Sequence, residues 1–143
     1  MIKEDYRDYA NHMFRTYAEW GCRSAEEVER LSIEREQKKD SYNDPSLSLR
    51  RAEKFLERYD SKLCDIRIVH AYFTALSKSE KKYIADAVAA VYFAQPKRGL
   101  RRGDVSSRVR RFAIDYHVSE KQAYAWLREA RRAVALAKGL DVE

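Results

Sequence analysis

Lys121, Gln122, Tyr124, Ala125 and Arg128 fall on one side of a segment with helical periodicity, and their side chains carry the donors and the methyl group that read base edges in duplex DNA. Gln122 suits adenine, Lys121 or Arg128 suits guanine, and the Ala125 methyl suits the thymine methyl. Ala123, Trp126 and Leu127, on the other side of the same segment, return to a core. Upstream, Phe112, Ala113 and Tyr116 repeat the apolar spacing of a helix. His117-Val118-Ser119 reads as the turn between the two, with Val118 as an inward plug and Ser119 as the N-cap of the second helix. The stretch from Arg111 to Leu127, RFAIDYHVSEKQAYAWL, therefore has the pattern of a helix-turn-helix, whose second helix lies in the major groove. Small residues at Ala113 and Ala123 let the helices approach. The turn normally carries a left-handed glycine; His117 stands there, a residue type that tolerates positive φ better than most. On a purely structural helix pair the same polar face would simply be solvated.

Cations surround this stretch. Lys97, Arg98, Arg101 and Arg102 sit in a glycine-containing connector, Gln95 to Gly103, expected to be exposed and flexible and suited to gripping backbone or entering a narrow minor groove. Arg108, Arg110 and Arg111 on the first helix of the motif suit phosphates better than bases; Arg131 and Arg132, farther along the last, either do the same or simply keep that helix soluble. Ser119, primarily a cap, can also offer a phosphate its hydroxyl or the amides of its helix. Residues 1–71 carry 14 Lys/Arg against 15 Asp/Glu, whereas residues 72–143 carry 15 against 8. The positive excess thus belongs to the half that contains the turn motif, and binding through it should weaken steeply with salt.

The elements that must position these residues are helices. The 143-residue chain has four Gly, two Pro and 36% charged residues, with little strand-like alternation, which points to an all-α protein. Tyr6, Tyr9, Ala10, Met13, Tyr17 and Trp20 trace one aromatic stripe on a helix from about Lys3 to Trp20, stopped by Gly21. The aromatics read as core or interface, not as a base-stacking platform, because that segment has no positive excess. Ser24 and Glu27 form a capping-box signature for a second helix reaching about Lys39. After the loop Asp40 to Pro45, Leu49, Ala52, Leu56, Tyr59, Leu63, Ile66, His70 and Phe73 alternate steps of three and four, which predicts one long central helix to about Leu76, serving as an intrachain spine or a coiled-coil seam. Its weak point is Tyr59-Asp60-Ser61-Lys62. His70 reads as a packed histidine, and the His12/Arg15 pair as a chance spacing. A helix from Ser77 or Ser79 to Ala94, ended by Pro96, completes a trihelical unit with the two motif helices, the last of which runs from Glu120 to Lys138. The expected division is an N-terminal helical region at 1–75, for self-association or partner contact, and a DNA-binding unit at 76–143.

No apolar run is long enough to span a membrane, and the first dozen residues lack the apolar core of a signal peptide, so a cytosolic or nucleoid location is expected. Cys22 and Cys64 stand apart from each other and from any histidine at metal-ligand spacing. Glycine-rich phosphate loops and the common hydrolase and metalloprotease signatures are missing, so neither catalysis, cofactor nor metal is expected.

Leu76-Ser77-Lys78-Ser79-Glu80-Lys81-Lys82-Tyr83-Ile84 ahead of the turn motif resembles region four of bacterial sigma factors. With RFA and VSEKQAYAWL, the segment 70–138 resembles still more the small phage regulators of the ArpU and RinA type, which activate late genes; residues 1–69 match them only in being helical. The basic stretch from Gln95 to Gly103 is longer than in the compact sigma form. The resemblance implies promoter-proximal DNA binding and contact with RNA polymerase. Two readings from other classes stand beside it: a phage DNA-packaging subunit of the small-terminase kind, and a helical interaction protein that does not bind DNA. A ring of many subunits would favour packaging, a monomer or homodimer regulation.

Overall fold

The computed structural model describes residues 5–39 and 45–142, and it is all-helical, with no strand among them. Helix α1 (Tyr6–Glu19) starts where the Asp5 carboxylate accepts the Arg7 amide at 3.0 Å, and it stops at Gly21, φ 75°. It is more enclosed than a one-sided stripe implies: Met13, Phe14, Arg15, Thr16, Tyr17 and Ala18 are all buried, so for six consecutive residues the helix has no solvent face. It packs against α4 (Asp60–Ser77), α7 (Glu120–Lys138) and the π-helical turn Ala89–Phe93 that follows α5 (Lys82–Val88). Helix α2 (Ala25–Lys39) begins with the Glu27 amide on Ser24 Oγ, at 3.3 Å, and turns Ala25, Val28 and Ser32 inward.

The long central helix read from the sequence is two helices, α3 (Pro45–Arg58) and α4, separated at Tyr59 (φ −105°, ψ 14°). The break falls at the weak helix-forming run that begins with Tyr59. It lets α3 fold back onto α2, while α4 lies along α1. The apolar steps survive the break: Leu63, Ile66 and Val69 are buried, and Leu56, Phe73 and the His70 ring are half-buried against neighbouring elements. The expected loop at 40–44, the start of the first helix at Lys3, and the side chains of Leu49, Ala52 and Phe55 lie outside the described residues. One apolar cluster joins α1, α2, α4, α5, α6 (Asp104–Tyr116) and α7; each large side chain in it removed from water contributes roughly 1.5–3 kcal/mol.

Two polar ties cross this core. Tyr17 Oη lies 2.8 Å from His70 Nδ1 and 3.1 Å from the Cys22 carbonyl, and burial pushes the phenol pKa up to about 12. Asp65, 2% exposed, accepts the Lys138 ammonium at 2.8 Å and the Tyr9 hydroxyl at 3.1 and 3.2 Å, which fastens α4 to the ends of α7 and α1. Burial opposes the charge on Lys138, but its hydrogen bond to Asp65 and the charge of that carboxylate outweigh burial, so its pKa rises above the ordinary 10.5. From neutral pH up to about 10.5 the tie therefore stabilises fully, and its contribution is lost as pH climbs through the raised value of Lys138. Replacing Asp65 with Asn strands the ammonium. Urea denaturation at neutral pH should show a loss of about 3 kcal/mol, and a loss under about 1 kcal/mol would mean that the tie carries little of the packing.

Candidate nucleic-acid interface

Helix α6 ends and α7 begins within three residues. His117 adopts φ 58°, ψ 44°, the left-handed conformation the turn requires, and the Val118 amide then reaches the Ala113 carbonyl at 3.0 Å. Ser119 is extended and its Oγ accepts the Gln122 amide at 3.0 Å, so α7 starts with a capped first turn. Beneath the turn, Ala113 and Ala123 are buried and Val118 is half-buried against the core. Trp126 is wedged between the helices, with ring centroids 4.6 Å from Tyr83, 6.2 Å from Phe112 and 5.9 Å from Tyr116. The Tyr116 hydroxyl donates to Asp86 at 3.1 Å. These contacts tie α5, α6 and α7 together and fix which side of α7 looks outward.

That side holds Lys121, Gln122 and Arg128, all exposed, with Ala125 half-buried beside them. Tyr124 packs its ring against the core, so only part of it shares the face. Neither Lys121 nor Arg128 makes an ion pair among the described residues, whereas Glu120 at the head of the helix takes Arg110 at 3.5 Å.

The surrounding cations divide into two groups. Arg98 is occupied within the fold: Nη2 lies 3.1 Å from Asp104, and Nε donates to Gln95 at 2.8 Å. Arg108 donates to the Val91 carbonyl at 2.7 Å, and Arg131 to the Tyr92 hydroxyl at 3.0 Å. Lys97, Arg101, Arg102 and Arg132 are exposed and without an ion pair among the described residues. Arg110 and Arg111 are exposed too, the latter 3.4 Å from Asp115; such surface pairs are worth under about 1 kcal/mol and yield readily to a phosphate. The connector itself is ordered by its main chain: the Arg101 amide donates to Asp104 at 2.7 Å, the Asp104 amide to the Arg101 carbonyl at 3.0 Å, and Leu100 packs on the core.

One residue that orders it has no counterpart among the site residues read from the sequence. Arg15, 8% exposed, reaches from α1 to the main chain after α5. Its Nη1 donates to the carbonyls of Tyr92 and Ala94, both at 2.9 Å, and its Nη2 to those of Gln95 (3.1 Å), Pro96 (3.4 Å) and Arg98. No side-chain pattern announces this, because every acceptor is backbone. Glu29, Glu53, Glu57 and Asp60 line a groove between α2, α3 and α4, elements that carry none of the cations read around the turn.

The left-handed His117 gives a direct check on the turn. Glycine there should raise the thermal midpoint, by up to about 1 kcal/mol of stability, and valine should lower stability by about 1–2 kcal/mol. If both variants melt like the unsubstituted chain, His117 is not held in that conformation. No family model, curated protein or solved structure matches the chain.

Proposed function

We propose that the protein binds double-stranded DNA and regulates transcription, in the manner of the phage late-gene activators that its C-terminal half resembles. The observation that carries the reading is the first two turns of α7: an N-capped helix start, placed by a tight turn, with Lys121, Gln122 and Arg128 exposed on its outward side and neither Lys121 nor Arg128 in an ion pair among the described residues. A helix presented this way enters a major groove with Gln122 and Arg128 at base edges and Ala125 against a thymine methyl. Lys97, Arg101, Arg102, Arg110 and Arg111 take the flanking phosphates, and Ser119 sits where a phosphate meets the helix N-terminus. Arg98, Arg108 and Arg131 serve the interface indirectly, by holding the chain that presents it. Helices α2 and α3, which pack chiefly on each other and on α4, are left to hold a partner, a second copy or RNA polymerase.

Five phosphate contacts imply a slope of about −4.5 in log K against log salt, a loss of about 500-fold between 50 and 200 mM. Fluorescence anisotropy with a random-sequence duplex should show that dependence, and selection of bound fragments from random DNA should return a preferred site. On that site, replacing Gln122 and Arg128 together with Ala should cost about 1–3 kcal/mol per lost base contact and flatten the preference, while the slope changes little. Salt-insensitive binding, or a preference that survives both replacements, would sink the reading.

A further inference from the structure

We propose that Arg15 is a positioning residue for DNA: from the middle of α1 it sets the connector 95–103 in the one shape that lets Lys97, Arg101 and Arg102 grip backbone together. This rests on the duplex-binding reading and adds to it a residue that touches no nucleic acid.

A π-helical turn that ends at Phe93 leaves carbonyls without helical partners, and the chain beyond it runs through an extended Ala94, a left-handed Gln95 (φ 49°) and Pro96. Those carbonyls need donors, and Arg15 supplies one planar fork that meets five of them between Tyr92 and Arg98. Arg108 adds the Val91 carbonyl one step earlier. The negative end of a helix also favours a cation there. From Arg98 the order is handed on: its amide returns to the Gln95 carbonyl at 3.1 Å, its guanidinium meets Asp104, and the same carboxylate holds the Arg101 amide. Arg101 and Arg102 thus emerge from a backbone fixed on both sides, one by Arg15 and one by the start of α6. Cations held in place bind phosphate without the ordering cost that a slack loop incurs on binding. Lysine cannot replace this fork, since its single ammonium spans fewer acceptors.

The test is Arg15→Lys, measured well below its melting temperature and with helicity checked by circular dichroism. Three results are expected. Amide exchange in 97–103 rises. Affinity for a random-sequence duplex at 150 mM salt falls about tenfold, with a salt slope shallower by about two, the number of cations released. In the Arg15→Lys background, Arg101→Ala with Arg102→Ala costs less than about twofold more, although the same pair costs about tenfold in the unsubstituted chain; on the selected site, Gln122→Ala with Arg128→Ala keeps its full effect in both. A generally weakened fold would not produce that selective loss of additivity. Unchanged slope and exchange in folded Arg15→Lys, or additive effects, overturn the positioning role while leaving the duplex reading standing. No salt-sensitive binding by the unsubstituted chain overturns both. Should Arg15→Lys and Arg15→Gln both fail to fold, the guanidinium NMR signals of the unsubstituted chain decide: a slowly exchanging Arg15 group that shifts when duplex is added supports the role, and a rapidly rotating one, or no shift, overturns it.

Discussion

A guanidinium that cannot shed its proton lies on the one stretch of α1 that has no solvent face, and much of the structure follows from satisfying it. Arg15 is enclosed by the same burial that makes Met13 to Ala18 the centre of the molecule. Burial, and then the nearby charge of Arg108, pull its pKa below the ordinary arginine value, and among the described residues no carboxylate bonds to it. What compensates the charge is a set of main-chain dipoles. Bringing them in requires the π turn, the left-handed Gln95 and the compact path to Asp104. The packing of α1 and the shape of the connector are therefore one constraint, not two.

Helix α7 carries the consequences outward. Ala123, Leu127, Ala130, Val134 and Ala135 bury a stripe along its length against α1, α4, α5 and α6, and Lys138 locks its end to Asp65 and Tyr9. With that stripe fixed, the opposite side of its first turns must face solvent, and Lys121, Gln122 and Arg128 sit there. A helix anchored at both ends presents such side chains with little freedom, which suits base readout. The division among the cations has the same logic. Those near the core end of the connector bond to carbonyls or to Asp104, and those at its exposed turns remain available.

The turn motif was legible because its signals are local. A serine cap, an aromatic and a leucine at helical spacing, small residues at the crossing and a residue type tolerant of positive φ all fall within seventeen positions. The break at Tyr59 was legible only as a weak point, since Leu56 and Leu63 both end at the core and the periodicity runs through a straight or a folded path alike. Charge counting located the basic half but could not separate Arg98, Arg108 and Arg131, which hold the fold, from Arg101 and Arg102, which do not. Arg15 was out of reach altogether: its acceptors lie 77 to 83 residues away and are peptide oxygens, identical at every position of the sequence.

On the proposed reading, duplex DNA meets this protein at the head of α7 and at the connector beside it. Titrating the isotopically labelled chain with a short random-sequence duplex, and following backbone amides by NMR, tests it residue by residue. Shifts should concentrate in 97–103, 107–111 and 119–128 and shrink as salt is added, while α2 and α3 stay unmoved. Shifts centred on α2 and α3, or none at all at low salt, would contradict it.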